Sequence, residues 1–176
     1  MNIEGFVLAG GRSTRMGCDK AQLVFPGDEA MAVHVGRVLL ALCSSVVLVR
    51  HRPDEVQWPF EVIVDAENST RHPLFGVAAA LKHACTPMVF IATCDVPWLT
   101  ADAVRTLIVE ATADGAVAFD GKQVHPLVAV LPSRRADEVL EAAVKGLAAL
   151  TIVAPCARVR LAPQLLGNVN EPADLG

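Results

Sequence analysis

Gly5-Phe6-Val7-Leu8-Ala9-Gly10-Gly11-Arg12-Ser13-Thr14-Arg15-Met16-Gly17-Cys18-Asp19-Lys20 takes an apolar run straight into paired glycines, and then into a loop that holds two arginines and a lysine. Backbone N–H groups and cationic side chains therefore converge at one strand end, which suits a phosphate ester. Gly10 and Gly11 let an anion approach the main chain and permit positive φ, while Arg12, Arg15 and Lys20 neutralise its charge. A tight surface turn with solvated charges is the other reading of the same residues. Strand-end glycine loops of this kind recur as ligand sites in α/β proteins.

The rest of the chain fits that class. Gly5–Ala9, Val46–Val49, Val62–Val64 and Met88–Thr93 are short apolar runs bounded by turn residues or charge, and they read as buried strands. Met31, Val35, Val38, Leu39 and Leu42 recur at helical spacing between the first two. Leu74–Ala84 is predicted to be a second helix, and Thr100 caps a third that carries Val104, Leu107, Ile108 and Ala111. Ala116–Phe119, the turn Asp120-Gly121 and Val128–Leu131 read as two strands joined by a turn. Ser133 is expected to cap a helix over Val139–Leu147, and Ala157–Leu161 is a late strand. Alternating strands and helices imply an α/β fold, a single domain over residues 1–176 with a mostly parallel central sheet in three Rossmann-like layers.

Composition narrows the function classes. A chain of 176 residues with 53% hydrophobic and 19% charged residues buries a sizeable core. It lacks the uninterrupted apolar run of about 18 residues that a membrane span needs. A formal net charge of −4 offers no electrostatic basis for binding nucleic acid or an anionic membrane. The N-terminus has no basic region ahead of its apolar strand, so no secretory signal is expected and the cytoplasm is the expected location. Cys18, Cys43, Cys85, Cys94 and Cys156 show no paired spacing, which fits reduced thiols rather than a disulfide framework or zinc site.

In open parallel sheets, ligands sit beyond the carboxyl ends of the strands. The Gly10-Gly11 loop, Asp65 after Phe60–Val64, and Asp95 after Met88–Thr93 all fall on that rim. Mg²⁺ prefers carboxylate and phosphate oxygens, so Asp95 is the candidate metal ligand, with a capping aspartate before Pro97 as the plainer reading. Neither G-x-G-x-x-G nor G-x-x-x-x-G-K-[ST] fits the loop.

Leu8-Ala9-Gly10-Gly11, Ser13, Arg15-Met16-Gly17 and Asp19-Lys20 resemble the signature of the molybdenum cofactor nucleotidyltransferases, most nearly the guanylyl branch. Pro73-Leu74-Phe75-Gly76, Cys94-Asp95-Val96-Pro97, His125-Pro126 and Asn168-Val169-Asn170-Glu171-Pro172-Ala173-Asp174-Leu175 are similar to further blocks of that family, in the family's order. The resemblance implies a nucleotidyltransferase fold and transfer of GMP from Mg·GTP to the terminal phosphate of molybdenum-molybdopterin. It assigns Leu8, Ala9, Gly10, Gly11, Lys20, Asp65, Gly76 and Asp95 to the nucleotide. Arg15, Lys20 and Asp95 are assigned to catalysis, and Mg²⁺ to Asp95. Asn168 and Asn170 fall on the acceptor side together with His125, for which packing at a strand entry is the alternative. For Gly76, helix packing is the alternative. Transient contact with cofactor-synthesis proteins or recipient molybdoenzymes is also implied.

Three departures stand out. Val49-Arg50-His51-Arg52 replaces a segment where the family often carries asparagine, His72 stands where glycine is common before Pro73, and Lys145–Leu150 lacks an arginine often found near there. His34, His51, His72 and His83 have no metal-ligand spacing and read as solvated or locally hydrogen-bonded. A cytidylyltransferase using CTP and a catalytically silent nucleotide- or pterin-binding relative are the alternative functions. The cytidine branch tends toward L-A-A-G where this chain has Leu8-Ala9-Gly10-Gly11.

Overall fold

A computed structural model describes residues 2–10, 19–25, 29–65, 72–169 and 174. Within them the elements run β1 (Glu4–Leu8), β2 (Val24–Phe25), β3 (Glu29–Ala30), α1 (Met31–Leu40), β4 (Val46–Arg50), β5 (Glu61–Val64), α2 (Pro73–His83), β6 (Met88–Thr93), α3 (Ala101–Val109), β7 (Ala116–Phe119), β8 (Val124–Pro132), α4 (Ala136–Val144), α5 (Ala149–Val153) and β9 (Ala157–Arg160). Seven strands form one sheet in the order β5-β4-β1-β6-β8-β7-β9. β1, β4, β5 and β6 pair in parallel, β8 is antiparallel to both neighbours, and β7 pairs in parallel with β9. Six strands thus share one direction, and β2 and β3 form a small separate hairpin.

The period-2 alternation of β1 explains the three layers. Phe6 packs in the cluster that includes Leu74, Val77 and Leu81 of α2 and Val139 of α4. Val7 packs in the opposite cluster with Val35 and Leu39 of α1 and Val104 and Leu107 of α3. Phe6, Phe90, Leu39 and Leu107 are fully buried, each contributing about 1.5–3 kcal/mol of transfer free energy. From β1 the chain moves through α1 to β4 and then β5, and α2 returns it across the sheet to β6 on the other side of β1. Connections leave β1 and β6 in opposite directions, which opens a crevice at their carboxyl ends.

Thr100 caps α3 by accepting a hydrogen bond from the Ala103 N–H at 3.3 Å. The Asp120-Gly121 turn joins β7 to β8, with Gly121 at φ +99°, a conformation that favours glycine. Three expectations need correction. The Val62–Val64 run is the sheet edge, and Val62 and Val64 are each 38% exposed, because strand order leaves β5 one neighbour. Ser133 does not cap a helix over Val139–Leu147. It begins a 3-10 turn, its hydroxyl donates to the Pro87 carbonyl at 3.2 Å, and α4 ends at Val144. The predicted strand Val128–Leu131 is the inner part of the longer β8, and α5 is a short helix the apolar spacing did not reveal.

Candidate active site

The four adjacent parallel strands β5, β4, β1 and β6 each end in polar or bare residues at the same rim. β1 delivers Gly10, β4 His51, β5 Asp65, and β6 Thr93, Cys94 and Asp95, around a cleft of about 340 Å³. α2 begins on the opposite wall with His72, Pro73 and Gly76, while Lys20 enters from the 3-10 turn Lys20–Gln22 and Leu127 from β8. Of the residues the sequence singled out, Leu8, Gly10, Lys20, Asp65, Gly76 and Asp95 therefore meet in one cleft. Gly11, Arg15 and Asn170 lie outside the described residues.

Ala9 is not on the cleft wall. It is fully buried, its N–H donates to the Val49 carbonyl at 2.9 Å, and its own carbonyl accepts from Arg50. His125 is also elsewhere: its ring pairs with Asp120 at 3.0 Å across the β7–β8 turn. Asn168 is exposed, and its neighbour Val169 makes the link to the cleft. The Val169 N–H donates to the Asp95 carbonyl at 2.8 Å, and Lys20 Nζ donates to the Val169 carbonyl at 3.0 Å.

Gly10 does not have the positive φ that its paired-glycine context allowed. Close approach explains it: a Cβ there would stand 3.0 Å from the His51 backbone nitrogen. At Gly76 a Cβ would come within 3.3 Å of Leu8 Cδ2 and 3.8 Å of Asp65 Oδ2, so the bare position keeps α2 tight against that end of the cleft.

Two histidines belong to the cleft that spacing rules did not find. His51 Nδ1 is 3.0 Å from Asp65 Oδ1. Burial raises the Asp65 pKa above the ordinary carboxylate value, and the His51 hydrogen bond and charge oppose that rise. His72 caps α2, its Nδ1 accepting from the Leu74 N–H at 3.3 Å with φ −129°, an extended conformation open to any residue. Histidine in place of glycine is accommodated there without strain. The available signal was position rather than spacing, because His51 directly follows a strand that ends on the rim.

Asp95 accepts a hydrogen bond from the Thr93 hydroxyl. Between them the Cys94 thiol is buried, and burial first, then the nearby Asp95 and Asp19 charges, push its pKa up to about 12. A thiol so raised is no nucleophile at neutral pH. Among the described residues no three His, Cys, Asp or Glu side chains cluster as a self-sufficient metal cage. Asp95 offers a rim carboxylate, the kind of oxygen donor that fits Mg²⁺, an ion that takes its other ligands from substrate phosphates and water. No helix among the described residues is long and apolar enough to cross a membrane.

A family model described as the MobA-like NTP transferase domain matches residues 5–159. A molybdenum cofactor guanylyltransferase from Shewanella piezotolerans is 32% identical over 142 residues, covering 77% of this chain and 70% of that protein. A probable molybdenum cofactor guanylyltransferase from Mycobacterium marinum is 30% identical over 187 residues, covering 99% of this chain and 92% of its own length. The crystal structure of molybdopterin-guanine dinucleotide biosynthesis protein A from Archaeoglobus fulgidus superimposes with a TM-score of 0.75 at 21% identity, covering 98% and 95% of the two chains. That likeness shows the shared fold.

Proposed function

The chain belongs to the MobA-like NTP transferase family, and on that premise we propose that it transfers GMP from GTP to the terminal phosphate of molybdenum-carrying molybdopterin, releasing pyrophosphate. The observation that carries the reading is the convergence of Gly10, Lys20, Asp65, Gly76 and Asp95 on one cleft at the topological crossover of the sheet. The naming of its relatives as guanylyltransferases supports the choice of base and acceptor.

In this reading an oxygen of the acceptor phosphate attacks the α-phosphorus, a new P–O bond forms, and the bond to the α,β-bridging oxygen breaks. The electron pair leaves with pyrophosphate. Rate acceleration then comes from alignment and cation placement rather than covalent catalysis. Gly10, with Gly11, brings backbone amides to the nucleotide. Lys20 and Arg15 hold the outer phosphates and offset the charge that grows on the leaving group. The ammonium of Lys20 is oriented by the Val169 carbonyl, which also ties the C-terminal segment to the nucleotide side. Asp95 is the residue that would hold Mg²⁺, with Thr93 orienting its carboxylate, and the ion would supply Lewis-acid polarisation of phosphate oxygens. Asp65, steadied by His51, and the close wall at Gly76 form the nucleoside end. Asn168, beside the anchor at Val169, and Asn170 would supply uncharged amides for the acceptor.

The test is a panel of ATP, GTP, CTP and UTP, each with Mg²⁺, molybdopterin and molybdate, with pyrophosphate and the dinucleotide product measured together. GTP alone is expected to support both. Preference for CTP would overturn the base assignment, and no product with any of the four would leave the silent binding protein as the better description.

A further inference from the structure

Arg50 is the one charged residue among the described residues that is buried, at 7% exposure, yet it faces away from the cleft. Its strand neighbours Val49 and His51 line the cleft, and the alternation of β4 sends Arg50 to the other side. There its guanidinium donates through Nη1 to the Ala9 carbonyl and through Nη2 to Asp19 Oδ2. A second carboxylate, Asp54, stands 2.7 Å away, and the Trp58 ring lies 5.3 Å from the guanidinium carbon. Burial opposes the charge of Arg50, and the two carboxylates more than compensate.

Ala9 stands directly before Gly10 and Asp19 directly before Lys20, near the two ends of the signature loop. Asp19 also accepts from the Ala21 N–H at 3.0 Å and so heads the 3-10 turn that presents Lys20. We infer that Arg50 is a positioning residue whose single guanidinium ties Ala9 to Asp19, and so holds Gly10 and Lys20, at the two ends of the signature loop, at the separation a nucleotide's phosphates require. This inference rests on the proposed nucleotide site.

The chemistry calls for arginine. A planar fork presents two nitrogens in fixed directions, one to the Ala9 carbonyl and one to the Asp19 carboxylate, whereas the single nitrogen of a lysine would have to serve both from one point. Asp54 and Trp58 belong to the β4–β5 connection, so they hold the guanidinium from outside while Ala9 and Asp19 receive its direction. A buried ion pair is weak evidence for stability alone, and here the bridge spans the two ends of the segment that carries the phosphate chemistry.

Arg50→Lys keeps the charge and removes the bridge, and Arg50→Met removes both. In Arg50→Lys, kcat/KM for the nucleoside triphosphate that the unaltered enzyme accepts is expected to fall on the order of 10²-fold, since about 1 Å of misplacement has that effect. The Tm should stay close to the unaltered value. Hydrogen exchange at the Ala21 amide is expected to accelerate, because its acceptor Asp19 loses its anchor. In a double-mutant cycle, Arg50→Lys and Asp19→Asn should be strongly non-additive in kcat/KM, and Arg50→Lys with Asp54→Asn closer to additive. A lowered Tm with unchanged kcat/KM and KM would reduce Arg50 to a structural residue and overturn the inference. Unchanged Ala21 exchange would overturn it too, and that measurement stands even if no nucleoside triphosphate is turned over.

Discussion

Along β5, β4, β1 and β6 the strands run one way and end in residues that face the cleft, Asp65, His51, Gly10 and Asp95. At the β7–β8 hairpin the polar residues near the rim are tied to their own turn. Asp120 accepts from the Lys122 and Gln123 N–H groups at 2.7 and 2.8 Å and pairs with His125. The Gln123 amide, then His125 and the Lys122 amide, hold the Asp120 carboxyl well below the usual range. The difference follows from connectivity. A parallel strand must hand over to a crossover connection, so its last residues emerge beside other strand ends. A hairpin turns back at once, and its polar residues satisfy its own backbone.

Substitutions that strike the parallel half should abolish chemistry, and those in the hairpin half should change only stability. Asp95→Ala is expected to lower kcat/KM by at least about 10³-fold with the fold retained by circular dichroism, because it removes the carboxylate proposed to hold Mg²⁺. Near-normal turnover in that variant would end the metal role of Asp95. Lys20→Ala should lower the rate on the order of 10²–10³-fold, by analogy with loss of one donor to a developing oxyanion. An effect on KM alone would show that Lys20 binds ground state and transition state equally.

Asp120→Asn is the smallest expected effect. A carboxylate whose folded pKa is depressed contributes stability that is present above its unfolded pKa and is lost as pH falls toward the folded value. The variant should therefore melt a few degrees lower at neutral pH and converge with the unaltered protein in acid, with kcat/KM unchanged. A loss of turnover in Asp120→Asn comparable with Lys20→Ala would break the comparison and bring the His125 turn back to the acceptor site.

Much of the fold was legible because its determinants are local. Thr100 caps α3 by a contact three residues long, and Met88–Thr93 carries the apolar run of a central strand from end to end. The edge position of β5 was not legible, since Val62 and Val64 are as apolar as core residues and only strand order leaves them exposed. In the candidate site, glycines and carboxylates at strand ends were visible as residue types with few other uses. His51 and His72 were not, because a histidine is equally at home on a solvated surface, and their roles depend on Asp65 and on the start of α2.

The glycine-rich strand end, the rim positions of Asp65 and Asp95, and the alternation behind a mostly parallel sheet are all written in spacing and residue chemistry within short windows. The assembled fold turns the Ala9 carbonyl to Arg50 rather than the Ala9 side chain to the cleft. It alone decided that Arg50 meets Asp19 across 31 residues of chain, and that Lys20 reaches the Val169 carbonyl across 149. Such contacts follow from strand order, and strand order is set by how the two apolar faces of the sheet are covered, a property of the whole chain that no local window contains.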